Sequence, residues 1–384
     1  MTRRPELHLL TPGDHFSPRT GSAIPTVVDG LCAALGPLPT VARPRVAVAR
    51  GTYPDRYPSA EPLEYDLPRS GPADRYLDAA AGRVGLPRPG VRRGLRAALR
   101  TQDRIDDGVV LVHNAPQAVP LVDRRHTAVL YAHNLLLRSY TRTEAGRVLD
   151  RAAAVVCVSA ALAQQTTDRL PSSLHDRVRV VPNGVDTSRF HPRADPGRGD
   201  RLRVLFVGRM IPEKGAHVLV DAVTRLARDD LDLTLVGSRN FDATAAPDGY
   251  ELDVNRAAAA LGGRVRLLPF TPRDGIAGLF RSADVLVVPS RWAEPFALTV
   301  LEGMASGVPV IASAVGGIPE AMGGAGIAVP PDDPTALADA LAALADDEAY
   351  RLRVGRQGRI RAEAGDWRAA RDRLDRAVSP APVG

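Results

Sequence analysis

Lysine is almost absent from this chain of 384 residues, in which 49 of the 50 basic residues are arginine and the single lysine is Lys214. On a solvated surface either side chain serves, and this chain has used arginine throughout. We therefore expect position 214 to need a compact ammonium group that a planar guanidinium does not replace. The alternative is that Lys214 is a basic position at which lysine happened not to be replaced by arginine. The residues around Lys214 help to decide between these two interpretations.

Cysteine and long apolar runs are scarce as well. The two cysteines, Cys32 and Cys157, lie among alanine, valine and leucine, which is typical of buried free thiols and lacks metal-ligand spacing. No apolar run reaches about 18 residues, and the start of the chain carries none long enough for a signal peptide. We therefore expect a soluble, cytoplasmic protein.

Aromatic residues make up only 4% of the chain, although its net charge is +6. A nucleic-acid binder typically carries a basic tail, or basic residues interleaved with aromatic ones. Here the arginines are spread along the whole chain. We expect them to form a solvated surface and expect no nucleic-acid partner.

Short apolar runs alternate with helical patterns, which predicts α/β domains with parallel sheets covered on both faces. The length suits two domains, and the alternation lapses into proline, glycine and arginine between them. We predict two Rossmann-like, doubly wound domains facing each other across a cleft. Their ranges are 1–182 for the first domain, 183–200 for a linker, 201–365 for the second domain and 366–384 for a helix that returns toward the first.

The predicted strands locate the motifs, because ligands of such sheets bind beyond the carboxyl ends of the strands. Residues Pro54–Pro89 are rich in proline, arginine and aspartate and give no clear pattern. The predicted strands of the second domain are 202–207, 231–236, 265–268, 285–288 and 308–312.

A glycine turn with two cations follows the first of these strands. Arg209 and Lys214 lie five residues apart in Gly208-Arg209-Met210-Ile211-Pro212-Glu213-Lys214-Gly215, and a helix is predicted from Gly215. Two cations beside a helix N-terminus favour an anion site, because free N–H groups and the helix dipole add to the positive charge. The alternative is a surface pairing of Lys214 with Glu213.

Two glutamates follow the predicted strand 285–288. Glu294 lies in a polar loop, and Glu302 lies in the second turn of a helix that begins near Phe296 to Leu298. A carboxylate can accept two hydrogen bonds from vicinal sugar hydroxyls, and helix N-terminal amides can meet a phosphate. This spacing favours a sugar site over two solvated charges.

Together these segments resemble retaining glycosyltransferase family 4, which has the GT-B fold. The resemblance rests on Glu294 and Glu302 with seven residues between them, and it covers the second half of the chain. The other segments that carry it are Val180–Pro192, the Arg209/Lys214 loop, Val285–Ser290, Ala305–Ala312 and Gly316–Glu320.

The resemblance implies that residues 1–182 bind the acceptor and residues 201–365 bind the nucleotide sugar. It also implies a role for each matching position on the donor side. Arg209 and Lys214, after the turn at Gly208, would bind the donor diphosphate, and Glu302 would hold the ribose. Glu294 would contact hydroxyls of the transferred hexose. The remaining implied contacts are the amides of Phe296, Ala297 and Leu298 near sugar and phosphate, and Pro269 and Phe270 beside the base. Family members commonly have glycine at positions 269 and 297.

The first half resembles the family less closely. Family members usually have a Gly-Gly loop after the first strand that approaches the donor phosphates and the acceptor. The corresponding stretch is Phe16–Ala23, which keeps one glycine, Gly21, as the implied donor contact. His133, at the end of a predicted strand, resembles the family's active-site histidine near the sugar. His113 is a similar strand-end residue and is expected on the acceptor side.

A helical pattern over Val91–Arg100 places arginines largely on one face and apolar residues on another. We favour a solvated face whose apolar side packs on the sheet. Weak peripheral contact with an anionic membrane, or contact with an acidic acceptor, is the alternative. The arginines of that face are Arg92, Arg93, Arg96 and Arg100.

The predicted reaction is hexosyl transfer from a UDP- or GDP-sugar to a hydroxyl acceptor. It needs cations and N–H groups at the leaving phosphate, and we expect no metal ion and no cofactor. Retention of configuration is implied by the resemblance alone. The alternatives are a phosphorylase of related fold, whose lysine carries pyridoxal phosphate, and a non-catalytic binder of nucleotide sugars or nucleic acid.

Overall fold

The computed structural model describes residues 4–37, 43–69, 71–194 and 200–379. Contacts between residues divide the chain into two compact units. The first contains the described residues of 1–18, 22–182 and 367–384, and the second those of 19–21 and 183–366. The described part of the predicted linker, 183–194 and 200, thus groups with the second unit, while 195–199 lie outside the described residues.

The described residues of the first unit form a seven-stranded sheet in which the recorded neighbours run parallel. Its order is β3-β2-β1-β4-β5-β6-β7. Valine, leucine and alanine fill the central strands, which are buried on both faces. The strands are β1 (Glu6–Leu9), β2 (Arg45–Ala49), β3 (Glu61–Tyr65), β4 (Val109–His113), β5 (Thr127–Ala132), β6 (Ala154–Cys157) and β7 (Val178–Val180).

Helices cover this sheet. Thr141 and Ser159 begin two of them by accepting a backbone N–H with their hydroxyl oxygens, which satisfies an otherwise unpaired donor. The helices of the first unit before residue 183 are α1 (Ala23–Ala33), α2 (Asp74–Arg83), α3 (Pro89–Leu99), α4 (Arg142–Leu149) and α5 (Ala160–Thr167).

The second unit contains a six-stranded parallel sheet within its described residues, in the order β10-β9-β8-β11-β12-β13. The strand order reverses between β8 and β11, which is the switch point of a Rossmann sheet. The strands are β8 (Leu202–Val207), β9 (Leu231–Val236), β10 (Val265–Leu268), β11 (Val285–Val288), β12 (Val310–Ser313) and β13 (Ile327–Val329).

The helices in the described residues of the second unit are α6 (Ala216–Leu226), α7 (Gly249–Ala259), α8 (Arg273–Ser282), α9 (Leu298–Ala305), α10 (Ile318–Met322), α11 (Pro334–Asp346) and α12 (Glu348–Glu363). Of these, α6, α7 and α11 pack with one face of the sheet in a core of mainly aliphatic side chains. The last helix, α13 (Trp367–Val378), belongs to the first unit, where Arg371 makes an ion pair with Glu6 of β1.

The prediction of two doubly wound parallel α/β sheets is confirmed. The strands predicted in the second domain lie within two residues of their observed bounds. Within Pro54–Pro89, which gave no pattern, lie the strand β3 and the helix α2.

Candidate active site

Two loops meet at the switch point of the second sheet. One follows β8 and runs from Gly208 to Gly215, and the other follows β11 and runs from Pro289 to Ala297. Because β8 and β11 are parallel neighbours, both loops leave the sheet at the same edge. The predicted diphosphate and hexose motifs therefore lie side by side.

Gly215 allows the first loop to pack closely against the second. Its φ is +72°, and a Cβ atom there would overlap the carbonyl oxygen of Pro289. The amide of Arg291 donates to the carbonyl oxygen of Glu213 at 2.9 Å, which adds a second tie. Only glycine fits this approach, so the sequence holds Lys214, the preceding residue, beside the loop that carries Glu294.

Lys214 makes an ion pair with Glu294, and its Nζ donates to Oε1 of that carboxylate. The hydroxyl of Ser290 donates to the same oxygen at 2.9 Å. Glu294 is 4% exposed, whereas the Lys214 side chain keeps 24% of its surface. The partner of Lys214 is therefore Glu294 and not the neighbouring Glu213, and two donors of its ammonium group remain for a ligand.

The backbone of Glu294 is held by two glycines that precede α10. The amide of Gly317 donates to the carbonyl oxygen of Glu294 at 2.7 Å. Gly316 has a φ of +60°, and a Cβ atom there would overlap the Glu294 backbone. This close approach gives a physical reason for the glycine pair in the sequence motif.

The helix α9 begins in an unusual backbone conformation. Its N-cap residue, Ala297, has a φ of +64° and a ψ of +84°, and no side chain caps the helix. Among the residues that the structure describes, no side chain accepts from the amides of the first turn, including that of Leu298. Phe296 is buried beside them at 3% exposure. Such a helix start can accept a phosphate oxygen.

Glu302 lies on α9 and is buried at 3% exposure. Arg273, the first residue of α8, donates from Nη2 to Glu302 Oε1 at 2.6 Å. In the described part of the chain, the second carboxylate oxygen of Glu302 has no hydrogen-bond partner, so it can accept from a hydroxyl group. Sequence reasoning missed Arg273, because an arginine at a helix start reads as a surface charge.

An aromatic pair lies at the carboxyl ends of β8, β9 and β10. The rings of Phe241 and Phe270 meet edge to face with centroids 5.8 Å apart. The exposed guanidinium of Arg209 lies 5.9 Å from the Phe241 ring. Gly21 packs against both rings, since a Cβ atom there would overlap Phe241 and come 2.8 Å from Phe270. Phe241 was not predicted from the sequence.

Ser238 connects the loops after β8 and β10 through hydrogen bonds. Its hydroxyl accepts from the Phe270 amide at 3.0 Å, and its carbonyl accepts from the Met210 amide at 3.1 Å. Pro269 precedes Phe270 and is exposed. Ser238 was also missed from the sequence, because a buried serine after a strand carries no distinctive spacing.

The first unit brings three histidines together. His133 Nε2 lies 2.8 Å from His113 Nδ1, and His113 Nε2 lies 3.0 Å from His8 Nδ1. His8 and His113 are completely buried, and His133 is 7% exposed. His113 was expected on the acceptor side, but a side chain without exposed surface cannot contact an acceptor. It lies behind His133 instead.

Burial governs the charge of these histidines. It lowers the pKa of His133 to about 3, and it lowers the pKa of His113 well below 6.5, together with the neighbouring His133 and His8. The pKa of His8 is lowered by burial too, against the opposing effect of Glu6. All three imidazoles are therefore neutral near pH 7.

The loops beyond β1 and β4 border a cavity in the first unit that both apolar and polar side chains line. Arg88 on its wall is paired with the buried Glu144 at 2.8 Å, and Arg93 is paired with Asp74 at 3.0 Å. The cavity thus presents polar groups that are already held in place. Other polar side chains in its lining are Asn114, Gln117, Ser139 and Tyr140.

The arginine face of α3 is partly used inside the protein. Arg92 donates to Gln117 at 2.9 Å, while Arg96 and Arg100 are exposed. Leu95, Ala98 and Leu99 are buried as the apolar face, but Val91 is 45% exposed. No helix in the described ranges is long and apolar enough to cross a membrane. Peripheral membrane contact remains a prediction.

Carboxylates elsewhere on the second sheet have structural partners. Asp230 and Asp232, which share the spacing of a metal-binding pair, are bonded to Arg228 and Arg201. Within residues 4–37, 43–69, 71–194 and 200–379, no group of three histidine, cysteine, aspartate or glutamate side chains is placed to hold a metal ion.

Family models match both units. Residues 44–189 match the model of Glycosyltransferase Family 4, and residues 201–347 match the model of Glycosyl transferases group 1. Together these matches cover more than half of the chain.

Curated relatives give the same assignment. A D-inositol 3-phosphate glycosyltransferase of Corynebacterium glutamicum (strain R) is 32% identical over 283 residues, which are 67% of this chain and 65% of the relative. One from Paenarthrobacter aurescens (strain TC1) is 37% identical over 269 residues, which are 65% of this chain and 64% of the relative. The chain thus spans just under two thirds of the length of these relatives.

Solved structures share the fold. Anabaena HepE, in complex with UDP and glucose, superposes with a TM-score of 0.72 at 17% identity, covering 99% of this chain and 100% of that chain. Sucrose-phosphate synthase from Thermosynechococcus elongatus gives a TM-score of 0.71 at 23% identity, covering 97% and 98%. The chain therefore belongs to glycosyltransferase family 4 and has the GT-B fold of two Rossmann-like domains.

Proposed function

We propose that this protein is a retaining glycosyltransferase that moves a hexose from a UDP- or GDP-sugar to a hydroxyl acceptor, without a metal ion or another cofactor. The observation that carries this proposal is the contact between Lys214 and Glu294 at the switch point of the second sheet. A cation that can bind phosphate, Lys214, and a carboxylate that can bind sugar hydroxyls, Glu294, thus lie in direct contact.

The diphosphate binds between Lys214, Arg209 and the start of α9. Lys214 keeps two donors beyond its bond to Glu294, and Arg209 is exposed next to the same loop. The uncapped amides of α9 supply further donors. These groups stabilise the negative charge that develops on the β-phosphate as the sugar leaves, which is the role a metal ion has in other transferases.

The remaining parts of the donor fit the side chains around this centre. Glu294 accepts from hexose hydroxyls, and Glu302, oriented by Arg273, accepts from the ribose. The edge-to-face pair Phe241 and Phe270 offers an aromatic surface to the base. HepE has been solved with UDP-glucose, which supports a uridine nucleotide as the first donor to test.

Retention follows from attack on the face of the sugar that the phosphate leaves. The acceptor oxygen bonds to the anomeric carbon as the bond from that carbon to the phosphate oxygen breaks. The electron pair of the broken bond stays on the phosphate, and the hydroxyl proton passes to a phosphate oxygen. Lys214 and Arg209 neutralise that phosphate throughout.

The acceptor binds in the cavity of the first unit. Three arginines, Arg69, Arg88 and Arg93, line this cavity together with one carboxylate, Asp74, and this excess of positive charge favours an acceptor with an anionic group. The matched relatives are named D-inositol 3-phosphate glycosyltransferases, which makes a phosphorylated polyol the first acceptor to test.

A panel of nucleotide sugars tests the proposal. A donor that binds the native state raises the melting temperature, and transfer to inositol and to D-inositol 3-phosphate is then measured with that donor. We expect Lys214→Ala and Glu302→Ala to lower transfer at least a hundredfold, whereas Arg256→Ala, on the exposed face of α7, leaves it unchanged. Wild-type turnover in both site variants would refute the site.

The same samples address the two other functions. An absorption band near that of pyridoxal phosphate, altered by borohydride, would identify a phosphorylase. Binding of a nucleotide sugar without hydrolysis or transfer to any acceptor would identify a binding protein.

A further inference from the structure

A continuous row of polar side chains runs through the core of the first unit and ends at His133. Arg371 of α13 donates through both terminal nitrogens to the carboxylate of Glu6, and Glu6 Oε2 lies 3.7 Å from His8 Nε2. His8 then contacts His113, and His113 contacts His133, at 3.0 Å and 2.8 Å. The strands that bear these groups, β1, β4 and β5, are sheet neighbours.

The number of protons in this row is limited. Each neutral imidazole carries one proton, on either Nδ1 or Nε2, and a hydrogen bond between two imidazoles uses one of them. The three histidines can therefore donate all in one direction or all in the other. The direction of donation along the three histidines therefore depends on the group that contacts His8, at the buried end of the row.

Two groups compete for His8 Nε2 at that end. The Glu6 carboxylate is acceptor-only, so it favours a proton on Nε2, while the thiol of Cys32, 3.6 Å away, could donate to a bare Nε2. A thiol is a weak donor, and an ionised carboxylate is a strong acceptor. Glu6 is kept ionised by Arg371 and His8, which lower its pKa against the effect of burial.

We propose that Glu6, acting through His8 and His113, fixes the tautomer of His133, so that His133 carries its proton on Nε2 and presents a bare Nδ1 to the substrate. His8 carries its proton on Nε2, which faces the Glu6 carboxylate at 3.7 Å, His113 donates from Nε2 to His8 Nδ1, and His133 donates from Nε2 to His113 Nδ1. Within the described chain, His133 Nδ1 has no hydrogen-bond partner, and the residue keeps 7% of its surface exposed.

The bare Nδ1 is an acceptor for a sugar hydroxyl, a role that rests on the proposed glycosyltransferase function. The backbone supports the ring in this position, because the His133 amide donates to Asn114 Oδ1 at 2.7 Å. Glu6, His8 and His113 are positioning residues in this arrangement, since none of them reaches the substrate.

Nitrogen NMR on protein labelled with ¹⁵N-histidine tests the proposal without any donor or acceptor. We expect a single tautomer for His133, protonated at Nε2, and couplings across the hydrogen bonds that place protons on His133 Nε2 and His113 Nε2. The His133→Asn variant assigns the signals. A proton on His133 Nδ1 in the wild type would overturn the proposal.

Two variants test the cause. His8→Phe removes the link to Glu6, and we expect a second population with the proton on His133 Nδ1; Glu6→Gln should have the same effect where it folds. Cys32→Ala is the matched control and should keep the single tautomer. A shift in Cys32→Ala, or an unchanged single tautomer in His8→Phe, contradicts the role of Glu6. Failure to transfer sugar, with the tautomers as expected, would instead count against the proposed function.

Discussion

Replacement of Lys214 by alanine should destabilise the second unit, because it leaves the buried Glu294 carboxylate with fewer donors. Glu294 is 4% exposed, and its Oε1 has two partners, the Lys214 ammonium and the Ser290 hydroxyl. Loss of one partner of a fully buried ion pair costs about 3–5 kcal/mol. Because Ser290 stays and water can reach the vacated site, we expect a loss of about 2 kcal/mol.

The free energy of unfolding is measured by urea denaturation followed by circular dichroism. The control is Arg256→Ala, which removes an ion pair with Asp253 at 3.0 Å whose side chains are 79% and 72% exposed. That pair should contribute no more than about 0.5 kcal/mol. The double variant Lys214→Ala/Glu294→Gln removes the charge that lost its partner, so the two effects should fall short of additivity by about 1 kcal/mol.

Lys214→Arg separates the need for an ammonium group from the need for a positive charge. The loop at Lys214 is held against Pro289 by Gly215, so a longer planar group cannot keep both Glu294 and a phosphate in reach. We expect transfer to fall at least tenfold, although the charge is retained. If Lys214→Ala and Glu294→Gln had additive effects on the free energy of unfolding, or if Lys214→Arg transferred sugar at the wild-type rate, the reasoning would be refuted. The single lysine would then reflect only the amino-acid composition of the chain.

Three further changes have defined outcomes. Ala297→Gly removes a left-handed alanine at φ +64° and should raise the free energy of unfolding by about 0.5–1 kcal/mol in urea denaturation; a decrease would contradict this. Arg273→Ala frees the Glu302 carboxylate to rotate, so calorimetry should show severalfold weaker binding of UDP or GDP, with the fold unchanged by circular dichroism. Acid should destabilise the first unit, because unfolded histidines bind protons below pH 6.5 whereas folded His133 stays neutral down to about pH 3. The free energy of unfolding from urea denaturation should fall over that window, by about 1.4 kcal/mol per pH unit for each such histidine, and His133→Asn should flatten the slope.

The sequence was sufficient for most of the second sheet, and its limits have physical causes. Strands such as β8 and β11 are buried on both faces, so continuous apolar runs mark them. The edge strand β3 was missed because the exposed Pro62 and Glu64 alternate with the buried Leu63 and Tyr65, within a stretch rich in proline. A short edge strand of this kind resembles a loop.

The site residues named from the sequence lie in the loops and helices that follow the strands, but the sequence could not show which of them contact each other. Lys214 and Glu294 are 80 residues apart, and their contact depends on β8 and β11 being neighbours. The row from His8 to His133 depends in the same way on the order of β1, β4 and β5. His113 and His133, at the ends of predicted strands, were a usable signal once that order was assumed, whereas His8 lies inside β1.

The ends of the second unit lie next to each other. Val185, just after the chain enters this unit, forms a β-bridge with Asp366, just before the chain leaves it, and Arg359 of α12 donates to the carbonyl oxygens of Thr187 and Phe190. A segment with adjacent, anchored ends can be exchanged or permuted as one piece without disturbing the rest of the chain. The stretch 183–366 thus has the geometry of a segment that can be exchanged as one piece, in evolution or in engineering.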